Sequence, residues 1–292
     1  MSLAICIADI AKVVLLMRFD LHLHTTASDG HLSPAELVIA ALSAGLDAIA
    51  VTDHDTVAAV APALDSATGS QLLVIPGVEL SATYDSRDVH ILGYFVDCED
   101  STFLARLEVL RAARLTRAIA MVDSLAAAGM DMSIDEVLEL TDGGSVGRSH
   151  VARALVERGH AKSVAEAFEL LIGRGRPFYV PKPGTSALDV LSVVRAAGGI
   201  SVLAHPGVTK VDDLIPALID AGLGGIEAFH GEHSSADRER YSKIAHEAGL
   251  LCTGGSDFHT SSSPGPGLGQ VEMPDSVLRD LLLTAGSRTS RS

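Results

Sequence analysis

Short apolar runs punctuate the chain at residues 19–23, 48–52, 72–78, 89–95, 200–204, 225–229 and 250–253. Runs of this length, rich in branched and aliphatic residues, predict buried strands. Helical patterns lie between most of them. In the segment 34–44, Ser33 stands as an N-cap, Pro34 occupies the first helical position, and Gly45 ends the run. Strand and helix alternating through short loops predict an α/β protein whose parallel sheet is flanked by helices. Seven such strands favour a closed barrel over an open doubly wound sheet.

The alternation breaks between the fourth and fifth strands. Residues 102–128, 134–140, 146–158 and 164–172 all read as helices, a stretch far longer than an ordinary crossover. This divides the chain into a barrel, residues 18–98 and 186–292, and an inserted helical subdomain, residues 99–185, placed over the barrel mouth. Insertions there commonly act as lids and supply specificity. The return segment, Gly173-Arg174-Gly175-Arg176-Pro177 followed by Lys182, is basic. At the other end, residues 3–17 are almost wholly apolar but contain Asp9 and Lys12 and lack a basic leader. They fall short of the roughly 20 residues a membrane span needs. They read as an extra strand or helix, or as an upstream extension over residues 1–16 ahead of a start at Met17, and residues 1–17 are set apart from the barrel as an N-terminal extension.

Composition narrows the partners. The 292 residues, 47% of them hydrophobic, suffice for one large domain carrying an insertion. A balance of 22 basic against 37 acidic residues gives a net charge of −15, which repels a long polyanion and favours a small anionic substrate over duplex DNA. Cys6, Cys98 and Cys252 form no CxxC pair, which points to a reducing, cytoplasmic setting with no membrane association.

The candidate chemistry gathers at strand ends. His22 and His24 end the first strand, Asp53 and His54 follow the second, Glu79 ends the third, His205 follows the fifth, His230 the sixth, and Asp257 with His259 the seventh. These are carboxyl ends, where parallel α/β architectures build their sites. His90, near the start of the fourth strand, reaches the same rim only if that strand is antiparallel or irregular. His22-Leu23-His24 places two imidazoles on one face of a strand. Blander readings stand beside these. Glu79 reads equally as a solvated strand end, His205-Pro206 as a satisfied histidine, and Asp55 as the cap of a helix from Thr56. Asp53 or Asp55 is also placed to orient an imidazole from behind. Gly254-Gly255-Ser256, just before Asp257, permits close backbone approach. His31, His160 and His246 read as surface residues, whereas His230 and His233 fall nearer the expected site.

The segments FDLHLHTTASDG, VTDHDT, PGVE, VHILGY, AHP and GGSDFH, in this order, resemble the metal-binding motifs of the PHP (polymerase and histidinol phosphatase) family. The helical insertion resembles that of its stand-alone metal-dependent phosphoesterase branch. The resemblance implies a distorted seven-stranded (β/α) barrel holding two or three divalent ions, with Mn, Fe and Zn all acceptable to histidine and carboxylate donors. It implies a first ion on His22, His24, Glu79 and Asp257, a second on Glu79, His90 and His205, and a third on Asp29, His54 and His259. Asp29 departs from the pattern, since some trinuclear relatives carry histidine there, and this leaves a two-ion resting state open.

Bridged divalent ions lower the pKa of a shared water and neutralise phosphoryl oxygens, so no protein nucleophile is required. GxxxxGK[ST] is absent, which argues against phosphate transfer from ATP. The expected activity is hydrolysis of phosphomonoesters of small nucleotides such as AMP or pAp (adenosine 3′,5′-bisphosphate), removing the 3′-phosphate of nucleoside 3′,5′-bisphosphates. The alternatives are hydrolysis of histidinol phosphate or another sugar phosphate, 5′-3′ trimming of short RNA, and a metal-binding module without catalysis. Arg148, Arg176 and Lys182 are candidate phosphate clamps, weighed against ordinary surface ion pairs. Asp257 and His233 are the catalytic candidates, with His233 as general acid or phosphate contact.

Overall fold

The structure is a computed structural model that describes residues 17–85, 87–182, 184–260 and 265–289. The strand or helix expected ahead of Met17 lies outside them. Seven strands, β1 (Phe19–Leu23), β2 (Ala48–Val51), β3 (Leu73–Tyr84), β4 (Arg87–Tyr94), β5 (Ile200–Leu203), β6 (Gly225–His230) and β7 (Leu251–Gly255), form one sheet in chain order. β1 to β3 run parallel, as do β5 to β7, while β4 is antiparallel to both of its neighbours. Beyond β7 the chain meets β1: Asp257 N donates to His22 O at 3.0 Å and His24 N to Phe258 O at 3.1 Å. These bonds curl the sheet into a nearly closed barrel. Gly255 permits the approach, because a Cβ there would lie 2.5 Å from His22 N.

β3 is much longer than its apolar run. It continues past Glu79 to Tyr84 because β4 folds back on it, pairing Ser81 with His90 and Tyr84 with Arg87. Glu79 is therefore a mid-strand residue and not a strand end. The same reversal carries His90 to the rim, where its carbonyl accepts from Ala204 N, beside His205.

The local helix signals act as read. In α1 (Pro34–Ser43), Ser33 Oγ accepts from Glu36 N while Glu36 Oε2 accepts from Ser33 N, a reciprocal cap, and Leu37, Val38 and Ala41 are buried. Asp55 caps nothing, since α2 starts only at Val60 (Val60–Ala67). Successive residues of β2 divide between two apolar clusters, as a period of two requires. Ile49 and Val51 pack with Leu37, Val38 and Ala41 of α1, whereas Ala48 and Ala50 join Tyr94, Val202 and residues 278, 281 and 282 near the C-terminus.

The insertion is helical: α3 (Ser101–Ala127), α4 (Ile134–Glu139), α5 (Arg148–Glu157) and α6 (Val164–Ala167), the last running into a π-helical turn, Phe168–Ile172. Phe103, Leu107 and Leu110 of α3 belong to the barrel core, while Met121, Val122 and Leu125 share a separate cluster with Val137, Val151, Leu155 and Ile172. The chain then passes through α7 (Ala187–Ala196), α8 (Pro206–Thr209), α9 (Ile215–Asp220) and α10 (Ser235–Glu247) to α11 (Ser276–Thr289). No helix among the described residues is long and apolar enough to cross a membrane.

Candidate metal centre

Glu79, 1% exposed, stands at the centre of the rim. His22 Nε2 and His24 Nε2 lie 3.3 and 3.2 Å from its Oε2, and 3.4 and 3.1 Å from Asp257 Oδ1. Four ligands at about 2.0–2.2 Å from a tetrahedral ion stand about 3.3–3.6 Å apart. The spacing of these donors is close to that of a cation's shell. On the other side of Glu79, Oε1 lies 2.7 Å from His90 Nδ1 and 2.9 Å from His205 Nε2. Asp29 Oδ1 is 3.2 Å from His259 Nε2 and 4.0 Å from His54 Nε2.

The sets overlap more than the resemblance implies. His24 also falls within ligand distance of Asp29, His54 and His259, and His54 Nδ1 is 3.0 Å from Glu79 Oε2. Among the described residues, His22 Nε2, His24 Nε2, His54 Nδ1, Asp29 Oδ1 and Asp257 Oδ1 are buried without a hydrogen-bond partner. Buried polar atoms are rarely left unsatisfied, so this concentration of lone pairs fits a divalent ion.

The electrostatics agree. Burial favours neutral carboxyls, but His54, His90 and His22 outweigh it and hold Glu79 well below the usual carboxylate range. Burial likewise opposes charge on His22, yet Glu227, Asp257 and Glu79 carry it well above an ordinary imidazole. Asp29 and Asp257 overcome burial to raise His259 to about 10. Two residues at the centre also hold left-handed backbones, His205 at φ 29° and Asp257 at φ 55°, conformations that non-glycine residues keep only when their surroundings impose them.

Around the donors lies a polar frame that sequence patterns did not reveal. Asp53 accepts from Thr25 N, Thr25 Oγ1 and Ser28 Oγ and so pins the loop carrying Asp29, while neither it nor Asp55 bonds an imidazole. Asp55 instead receives Arg114 Nε, and Arg114 Nη2 reaches Ser81 Oγ at 2.7 Å, tying α3 to the loop after β2. Ser149 Oγ donates to Asp29 Oδ2 at 2.8 Å, which brings the N-terminus of α5 to the rim. Gly144 lets the insertion close over that loop, since a Cβ there would lie 2.5 Å from Thr26 O. Glu227, wholly buried in β6, accepts from His205 N and contacts His22 Nδ1.

The substrate candidates separate. Arg148 and Arg117 share Asp88 Oδ2 at 3.3 and 3.1 Å, and Arg148 lies over the Phe168 and Tyr179 rings. Lys182 is buried near them, and burial together with Arg114 brings its ammonium down to about 7. Arg114, Arg117, Arg148 and Lys182 line one small cavity. Arg176 is exposed in the turn after the π-helical segment, and none of its hydrogen bonds or ion pairs among the described residues reaches the donors. His233 is buried, its Nδ1 donates to Ala228 O, and its Nε2 accepts from Gly207 N. His230 is the imidazole at the rim. Its Nδ1 accepts from Glu232 N, which assigns the ring proton to Nε2, 3.3 Å from Asp257 Oδ2.

Residues 20–172 match the PHP domain family model, more than half of the chain. A 5′-3′ exoribonuclease Rnm of Escherichia coli is 35% identical over 248 residues, covering 82% of this chain and 85% of that protein. A 3′,5′-nucleoside bisphosphate phosphatase of Chromobacterium violaceum is 34% identical over 263 residues, covering 88% and 92%. A solved structure from Bifidobacterium adolescentis, described as that of a metal-dependent phosphoesterase, superposes with a TM-score of 0.84 at 33% identity, covering 92% and 96%. The chain belongs to the PHP domain family.

Proposed function

We propose that this chain is a metal-dependent hydrolase of phosphate esters whose substrates are phosphomonoesters of small nucleotides, with nucleoside 3′,5′-bisphosphates as the preferred class. The observation that carries this reading is the pairing of a buried His and carboxylate cluster with a cationic ledge from the insertion. His22, His24, Glu79 and Asp257 would hold one divalent ion, Glu79, His90 and His205 a second, and Asp29, His54 and His259 a third, with Mn, Fe or Zn compatible. When bound, such ions neutralise phosphoryl oxygens and lower the pKa of water.

The chain's own residues supply the rest. Arg114 is matched by Asp55, but Arg117 and Arg148 share the single carboxylate of Asp88. The ledge thus carries surplus positive charge in a chain of net charge −15, which suits a second phosphate of the substrate. His230 keeps a proton on Nε2 beside Asp257, a position from which it can assist the departing oxygen. The Escherichia coli relative's name favours a second reading, trimming of short RNA, in which the ledge would hold a backbone phosphate.

Rates with pAp, 3′-AMP, 5′-AMP, histidinol phosphate and a short 5′-phosphorylated RNA test this. The expected result is the highest kcat/KM for pAp. Arg148→Ala should lower that value by about 10- to 100-fold, as lost charged hydrogen bonds cost about 1.5–3 kcal/mol, with a smaller effect on 3′-AMP. Equal turnover of the three other monophosphates with no preference for pAp would sink the bisphosphate assignment, and preference for the oligonucleotide would favour the second reading.

A further inference from the structure

Glu227 is a carboxylate in the middle of a buried strand, 0% exposed. Its Oε1 lies 2.9 Å from His22 Nδ1, and its Oε2 accepts from His205 N at 2.8 Å. His22 contributes to the first donor set and His205 to the second. We propose that Glu227 is the positioning residue that fixes one ligand of each set, so that the two ion sites are built together by a single side chain. This rests on reading those histidines as metal ligands, and on nothing about the substrate.

Two separate effects follow from the geometry. At His22 the carboxylate accepts the ring proton on Nδ1, so Nε2, facing Glu79 Oε2 and Asp257 Oδ1, is the nitrogen that would give up its proton and bind an ion. A carboxylate behind a metal-binding imidazole fixes tautomer and ring orientation and raises ligand basicity. At His205 the other oxygen anchors the main chain in its left-handed conformation, φ 29° and ψ 56°, from which the ring reaches Glu79 Oε1. Both oxygens are engaged by N–H donors. Glutamine keeps the shape of the side chain but offers only one acceptor oxygen, and its amide NH2 would face the other donor. It can accept from His22 Nδ1–H or from His205 N–H, never from both.

The test begins with the wild-type protein. In the zinc-loaded chain with 15N-labelled histidine, the His22 resonances, assigned by their loss in His22→Gln, should show a protonated Nδ1 and an unprotonated Nε2. A His22 protonated on Nε2 would overturn the proposal, because Nδ1 would then be the ligand atom. Next, chelator competition with Zn and Mn should show Glu227→Gln binding metal about 10- to 100-fold more weakly than wild type, the usual cost of losing such a partner. Thermal melting of the metal-free proteins checks that the variant folds. Wild-type metal binding retained in a folded Glu227→Gln also overturns the proposal. Absence of binding in the wild type itself would instead overturn the metal-centre reading, so the two failures are distinct.

Discussion

Asp29 shows how much one side chain decides at this rim. Its Oδ1 faces His259 Nε2 at 3.2 Å, while its Oδ2 is occupied by Ser149. A carboxylate suits harder ions, whereas imidazole suits zinc and iron. Asp29→His is therefore expected to increase zinc bound per chain after dialysis, measured by elemental analysis, and unchanged zinc content would contradict this view of the third site. Lys182 supplies a second prediction. Burial and Arg114 lower its folded pKa to about 7, against 10.5 for an ordinary lysine. The unfolded chain then binds the extra proton between those values, so the cost of burying the charge is complete below about pH 7 and fades as pH rises. Lys182→Met should accordingly raise the urea midpoint at pH 6 and do so less at pH 9. A benefit that grows with pH would contradict the assignment.

Elements carry the site through ties that cross long stretches of chain. Arg114 in α3, pairing with Asp55 and Ser81, joins the insertion to the loop after β2 and to strand β3. Removing one partner of a buried pair leaves the other uncompensated and costs about 3–5 kcal/mol. Arg114→Ala should lose stability on that scale in urea unfolding of the metal-free protein, and a change below about 1 kcal/mol would mean Asp55 finds another partner. The elements also differ in how far they could be read. The ends of α1 were legible because Ser33 and Pro34 act on neighbouring backbone at its start and Gly45 follows its end. The demand that β4 be antiparallel or irregular followed from His90 alone, and the strand is antiparallel. The length of β3 was hidden, because Leu80 to Tyr84 pair with β4 and lack a strong apolar run of their own. Glu227 was hidden too: a carboxylate inside a strand carries no local signature, and its partner His22 lies 205 residues away.

At the scale of the molecule, the acidic chain concentrates protonated imidazoles where cations are to bind. Burial opposes charge on His22, His205 and His259, but neighbouring carboxylates raise all three, His259 to about 10. In the metal-free protein these shifts favour the protonated rings, His259 above all, and an incoming ion must displace those protons. Metal affinity should rise with pH across pH 6 to 8, with net proton release seen as a dependence of the calorimetric heat on buffer ionisation enthalpy. Affinity independent of pH would be incompatible with these raised imidazoles.

The sequence by itself determined the alternation of strands and helices, the interruption after the fourth strand, and the supply of imidazoles and carboxylates near strand ends, because each is written in periodicity or in adjacent residues. Only the tertiary structure decided that Glu79 is a buried centre, that His24 and His54 border two donor sets, that His233 is a strut while His230 reaches the rim, and that Glu227 holds His22 and His205 at once. Those outcomes depend on sheet closure and on the reversal of β4. Both bring together residues far apart in the chain, and local pattern carries no record of such distances.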